Sequence, residues 1–538
     1  MRFSKPKSSR AQPARLAPWG LLVALAAGPA AAAEQPSYRQ VAKLSASDGE
    51  PDQFLGVAVA IDGDTAVAGA SRDDQFGANS GAAYLFERAG DSWSEVAKLT
   101  ADDAAPNDKF GVEVAISGDT VIVGANEDDD LGGSSGSAYV FERDAGGPDA
   151  WGQVAKLTAP DGGAGDQFGY AVAIDGDTAI VGAYLAGDGV RPGAAYIYRR
   201  DAGGPGAWGL VAQIVSLDAE DRDHFGIAVS VSGDTALVGA RLESDVALAA
   251  GAAYVFERDV GGADAWGQVA KVTADDGVIL DRFGRAVAID RDYAVIGAPA
   301  DDTGGGAAYV FERDAGGPGA WGQVAKLVGP DTRFDDWFAG TVDISGDTIA
   351  IGADDHDTLG LDSGAAYVYR RDAGGPGAWG KIAKFAGIDT DFDDEFGRAI
   401  AIDGATVLSG ADHVADLGTN SGAVYFFEEI TVDPQVSVSG SCPGPIALEV
   451  TGLTPQQPSV LFLGSGPGDW SIGAGPCAGE MLDLADAELI GPATSGPGGG
   501  VSLAGPIGPA ACGSPIQIID SVSCATSNVV QLPAAARE

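Results

Sequence analysis

Aspartate is the residue best placed to do chemistry in this chain. One recurs seven residues before each copy of a phenylalanine landmark or its equivalent: Asp48, Asp103, Asp161, Asp218, Asp276, Asp331 and Asp389. A second stands two residues before it at Asp108, Asp166, Asp223, Asp281, Asp336 and Asp394, with Asp52 as the displaced counterpart in the first copy. Loop carboxylates of this kind either accept backbone N–H bonds and fix a turn, or gather round a hard cation such as calcium. The spacing persists whatever else the loop contains, which favours the turn. The cation reading is strongest in D-T-D-F-D-D-E, where Asp389, Asp391, Asp393 and Asp394 can converge on one ion, although the glycine that helps such a loop turn is missing.

The three histidines, His224, His356 and His413, all fall in loops of the same acidic kind. His356 stands in D-D-H-D and His413 follows Asp412, a pattern compatible with a transition-metal site and equally with solvated surface histidines. Trp337 is extra to the repeat and adjoins Asp336. Asp335, Asp336, Trp337, His356 and His413 therefore mark the candidate ligand face. No G-x-S-x-G, H-E-x-x-H or Gly-Lys-Ser/Thr motif occurs, and the carboxylates are too many to single out an acid–base pair. No catalytic residue is assigned and no cofactor is required; calcium is the candidate ion.

These residues are carried by an internal repeat with steps of 55 to 58 residues. Four landmarks recur in fixed order. A W-G-Q-V-A-K-L string begins at Trp93, Trp151, Trp208, Trp266, Trp321 and Trp379, with Tyr38 in the earliest copy. An F-G step follows at Phe110, Phe168, Phe225, Phe283 and Phe396, degenerate as Leu55-Gly56 and Phe338-Ala339. Then come a Gly-Ala pair (Gly69 to Gly410) and an A-Y-V-F string (Tyr84 to Tyr425), each seven times. Each landmark reads as a strand of β-branched, aromatic and small apolar residues. The I-D-G-D-T and I-S-G-D-T links read as tight hairpins, and helical periodicity is absent.

Four antiparallel strands repeated seven times predict an all-β, seven-bladed β-propeller over 38–429. The chain enters on a W-type strand and leaves the repeats on a Y-type strand. The last blade therefore lacks its outer strand, and the N-terminal strand is expected to supply it. The order F-G, G-A, A-Y-V-F resembles the FG-GAP repeat of integrin alpha-subunit propellers and of many exported bacterial proteins. Integrin-type repeats often carry a D-x-D-x-D-G calcium loop between their first two strands. Here that link is only D-G-D-T, too short to wrap a cation with six to eight oxygens, so calcium does not carry over to these turns.

Composition bounds the partners. The formal net charge is −45, which repels phosphate backbones and anionic bilayers, so neither nucleic acid nor membrane insertion is expected. Residues 1–33 hold five basic residues, no acid, a short apolar core and Ala31-Ala32-Ala33. They read as a signal peptide cleaved after Ala33. The mature chain is expected to be secreted, periplasmic or at the cell surface, and monomeric. Cys442, Cys477, Cys512 and Cys524 are confined to the last 100 residues or so, as two disulfides of an exported module would be, with three pairings open. Short apolar runs over 435–533, separated by Gly, Pro and Ser, predict a small β-sandwich. The expected function is non-enzymatic binding or adhesion through the acidic face, to a protein or glycan, with divalent cations as a candidate aid. The alternatives are a polysaccharide hydrolase or lyase on the propeller axis, or a structural surface component.

Overall fold

A computed structural model describes residues 38–429, apart from 91, 188–190, 261 and 302–304, and the strands between 435 and 531. Contacts separate a unit over Pro36–Asp433 from the segment that begins at Pro434.

The first unit is a seven-bladed propeller. Blade 1 comprises Leu55–Asp62, Thr65–Ala70, Ala82–Ala89 and Ser92–Leu99, hydrogen-bonded in that order. Blades 2 to 6 repeat this four-stranded antiparallel meander through Gly380–Phe385. Blade 7 takes Ala399–Asp403, Thr406–Ala411 and Ala423–Glu429, and its fourth strand is Tyr38–Leu44 from the chain's start. Lys43 pairs with Tyr425 and Leu44 with Val424 in this closing ladder. The expected ring closure is therefore observed, and it leaves no unpaired edge at the end of the repeat.

The core lies between blades, not within them. Seven apolar clusters each join one blade to the next, including blade 7 to blade 1 through Leu55, Val59, Leu408 and Phe426. The second strand of a blade is covered on both faces, and Thr65–Ala70 and Thr178–Ala183 are buried at every position. This is why these strands read as unbroken apolar runs rather than as alternating ones. The repeated tyrosines from Tyr84 to Tyr425 are fully buried, and so are Phe110, Phe168 and Phe225. These aromatic landmarks are scaffold.

Two features lock each joint. The backbone N–H of the F-G phenylalanine donates to a carbonyl of the preceding blade, as in Phe110 to Ser80, Phe225 to Pro192 and Phe338 to Gly305, and Leu55 to Ser421 closes the ring. On the opposite face the first-strand ends form a belt. Asp62, Ser117, Asp175, Ser232, Asp290, Ser345 and Asp403 each accept a backbone N–H from the next blade's hairpin, at 2.6–3.1 Å, and the last returns to Gly63. The D-G-D-T turns thus tie blade to blade.

Among the described residues beyond Pro434, nine strands form sheets of three, four and two, among them Gln435–Gly440 paired with Gly444–Thr451. Cys442, Cys477, Cys512 and Cys524, the sandwich core and the leader 1–33 lie outside the described residues.

Candidate functional site

The two aspartate sets do different things. The nearer set fixes turns as expected: Asp108, Asp166, Asp223, Asp281, Asp336 and Asp394 each accept the N–H three residues upstream at 2.6–2.7 Å. In blade 1 this position is held by Gln53, which accepts from Glu50, rather than by Asp52.

The farther set does not serve the backbone in this way. Asp48, Asp103, Asp218, Asp276, Asp331 and Asp389 each receive a lysine of the outer strand at 2.5–2.8 Å: Lys98, Lys156, Lys271, Lys326, Lys384 and Lys43. The tyrosine hydroxyls of Tyr84, Tyr309 and Tyr367 donate to Asp48, Asp276 and Asp331, and that of Tyr196 donates to Asp161, the blade 3 member of the set. The lysine also meets a second acid, four residues after the Gly of the G-A pair: Asp73, Asp128, Glu243 or Asp301. Blade 3 has Ala186 at this position and Gln213 in place of lysine, with Gln213 bonded to Asp161. In blade 3 the second acid and the cation are absent together, so no buried charge is left unpaired, whereas blades 6 and 7 carry His356 and Val414 at the second position and keep Lys384 and Lys43 on Asp331 and Asp389.

This arrangement relocates the candidate metal residues. Asp389 is engaged by Lys43, and Asp394 holds the N–H of Asp391. Among the described residues, two groups of potential ligands lie within 4.8 Å of one another: Asp103–Asp128–Asp130 and Asp393–Glu395–His413. The Lys156 ammonium sits on all three members of the first group. Of the four candidate aspartates in D-T-D-F-D-D-E, Asp393 falls in such a group, joined by Glu395 at the end of the same string.

The candidate ligand face is divided in a similar way. His356 occupies the second-acid position of blade 6, buried, 3.2 Å from Lys384 and 3.7 Å from Asp336. Burial, then Lys384, lowers its pKa. Asp335 is exposed nearby. Trp337 and His413 instead line a cavity of about 350 Å³ at the mouth of the central channel, between blades 6, 7 and 1. Phe54, Arg72, Asp354, Glu395, Arg398 and Asp412 share its wall. Below it, a channel of about 230 Å³ runs between first strands, past Val59, Val172, Val229 and Ile400.

Charge in the mouth is crowded. Arg398 lies 3.1 Å from Asp354 and 3.9 Å from both Glu395 and Asp412. Burial disfavours its cation, but these three carboxylates outweigh that and hold it charged. Burial, then Asp412, pushes the Glu395 carboxyl up to about 8, and burial, then Asp354, pushes Asp355 to about 6. Two rings flank the charges. Phe54 lies under the Arg72 guanidinium at 4.1 Å, and Trp337 under Arg282 at 5.5 Å.

One set of mouth positions escaped the sequence reading. The residue immediately before the F-G phenylalanine has positive φ in every blade: Phe54, Lys109, Gln167, His224, Arg282, Trp337 and Glu395, at 53–61°. The carbonyl of each accepts the N–H three residues on, and this tight turn starts the first strand. Left-handed backbone costs a non-glycine residue roughly 1 kcal/mol, yet none of the seven is glycine and no two are alike. The signal was visible in the alignment of repeats: an all-different column between a near-constant Asp and a near-constant Phe.

No curated protein matches the chain. A family model described as the FG-GAP repeat matches seven times, at residues 38–86, 93–141, 151–198, 208–256, 266–311, 321–369 and 379–427. Each match runs from the outer strand of one blade through the three inner strands of the next. The unit of sequence is therefore offset by one strand from the unit of structure, and the first match, entering on Tyr38–Leu44, supplies the strand that blade 7 lacks. Matched along more than half its length, in an order the blades reproduce, the chain belongs to the FG-GAP repeat family.

Proposed function

We propose that this chain is an exported, non-enzymatic binding protein and that its ligand seats in the propeller mouth between blades 6, 7 and 1. The supporting observation is the ring of seven left-handed residues. Backbone strain of this kind is retained where the surroundings demand it, and it clusters at ligand clamps. Here it presents seven different side chains at one end of an otherwise near-uniform scaffold. The cavity has the volume of a small-ligand site. Aromatic faces at Phe54 and Trp337, beside planar carboxylates and guanidinia, suit a sugar ring, which offers a C–H face and hydroxyl edges. The expected export places such a binder among extracellular glycans.

A glycan-array screen with the full chain tests this reading. Binding that is retained in Val324→Ala, on the exposed outer strand of blade 5, and lost in Trp337→Ala or Phe54→Ala supports it. A ligand found only among proteins would move the partner class. Polysaccharide turnover abolished by Glu395→Gln would replace the reading with an enzymatic one.

A further inference from the structure

Asp393, Glu395 and His413 stand at the edge of the mouth, where the loop entering blade 7 meets the loop leaving its second strand. His413 Nδ1 is 3.2 Å from Glu395 Oε1 and 3.9 Å from Asp393 Oδ2. Donors held tetrahedrally at metal–ligand distances near 2.1 Å lie about 3.4 Å apart, and the observed separations bracket that value.

Two further observations point to something held there. His413 Nδ1 is buried and makes no hydrogen bond among the described residues, despite its short distance to Glu395. Asp412, only 3% exposed, lines the same cavity with its Oδ1 buried and without a hydrogen-bond partner. A buried carboxylate oxygen left in this state is costly, and native structures seldom tolerate it without a ligand, ion or water.

Blade 2 shows what the corresponding loops hold elsewhere in the ring. There the cluster Asp103–Asp128–Asp130 already holds the Lys156 ammonium. In blade 7 the counterparts Asp389 and Asp416 hold Lys43 in the same way, whereas the positions of Glu395 and His413 carry in blade 2 the ion pair Lys109–Glu127 at 2.8 Å, so blade 7 has a carboxylate where blade 2 has its own cation. Arg398 directs its Nη1 to Asp354 at 3.1 Å and keeps its Nε 3.9 Å from Glu395.

We propose that Asp393, Glu395 and His413 bind one divalent first-row transition ion, with zinc as the probe of that class. An imidazole with two carboxylates suits zinc or manganese, whereas calcium takes six to eight oxygens. Asp412, next to His413 in the chain and lining the same cavity, offers its Oδ1 to an ion-bound water. Three protein ligands leave a coordination position open. The assignment does not depend on the organic ligand of the mouth.

The test is calorimetric titration of zinc chloride into chelator-stripped full-length protein near neutral pH. Wild type is expected to take up one ion per chain at this site. His413→Ala and Asp393→Asn are expected to weaken that uptake at least roughly tenfold, while Asp129→Asn, in the acidic loop of blade 2, leaves it unchanged. Cobalt should give a visible d–d spectrum that His413→Ala abolishes. Asp393 is exposed, so Asp393→Asn carries the test if His413→Ala fails to fold, and thermal melts of the metal-free proteins check this. Uptake unaffected by both variants would overturn the assignment. So would the absence of zinc binding, calcium binding in its place, or a loss confined to Asp391→Asn. None of these outcomes bears on glycan binding by Trp337 and Phe54, which the array reads separately.

Discussion

Gly410 of blade 7 lies against Gly56 of blade 1 so closely that a Cβ on Gly410 would stand 1.8 Å from the Gly56 carbonyl oxygen. The same approach recurs at every joint, as between Gly124 and Gly169 or Gly182 and Gly226. The two glycines of the repeat signature are therefore halves of one contact, made between neighbouring blades. Gly410→Ala should destabilise the propeller by on the order of 3 kcal/mol, because the neighbour is backbone and cannot swing away. Gly133→Ala, where a Cβ meets nothing within 4 Å, should change stability by less than about 0.5 kcal/mol. Denaturant midpoints of the two variants measure the difference.

Lys156 holds Asp103, Asp128 and Asp130 together, and Asp128 is buried. Lys156→Ala leaves three carboxylates facing one another and should cost about 3–5 kcal/mol. Millimolar calcium should return part of that loss, since the vacated position is ringed by oxygens. The pair Lys156→Gln with Asp128→Ala reproduces the blade 3 combination of Gln213 and Ala186. It should be markedly more stable than Lys156→Ala alone, a non-additivity that a double-mutant cycle reads directly.

Acid should loosen these joints. Burial alone would raise the carboxyls of Asp48, Asp103, Asp218, Asp276, Asp331 and Asp389, but the paired lysine, together with the tyrosine hydroxyl, outweighs it and holds each below the ordinary value of 3.8. A carboxyl whose folded pKa is depressed contributes stability that is complete above its unfolded value and lost as pH falls through the folded one. The contribution of these six pairs to the thermal midpoint should therefore hold steady down to about pH 4 and drop below it. Lys326→Gln should shallow the drop by removing the partner of Asp276.

Ring closure rests on seven residues. Deleting Tyr38–Leu44 removes the outer strand of blade 7 and uncovers the ladder edge at Val424 to Glu429. The deletion should lower the thermal midpoint and promote association through the open edge. Reinserting the strand after Glu429, through a loop copied from another blade, should restore a monomeric, cooperatively melting propeller. Light scattering and calorimetry distinguish the two outcomes.

Much of this fold was legible in the residues. The D-G and S-G hairpins, the apolar second strands and the all-apolar tyrosine strands are local signals, and seven copies made each of them unmistakable. The offset between first and last landmarks was enough to foresee that Tyr38–Leu44 would complete blade 7. The site was less legible. Trp337 and His413 were singled out and do reach the mouth, but Asp336, next to Trp337, and His356, in the loop after the second strand of blade 6, belong to the joint instead. Phe54 and Glu395 were passed over because their repeat column looked merely variable, and only backbone geometry shows that the variation sits on a strained ring.

What the amino-acid sequence determined by itself was the blade and its sevenfold repetition, because strand periodicity and turn chemistry act over a few residues. What only the tertiary structure decided was which carboxylates are neutralised. Asp389 and Asp393 stand four residues apart in one acidic loop and look alike. Asp389 receives Lys43, 346 positions away along the chain, because the N-terminal strand closes the ring beside it. Asp393 stands clear of that lysine and turns to His413. Distance in space, set by closure of the propeller, separates a scaffold carboxylate from one at the mouth.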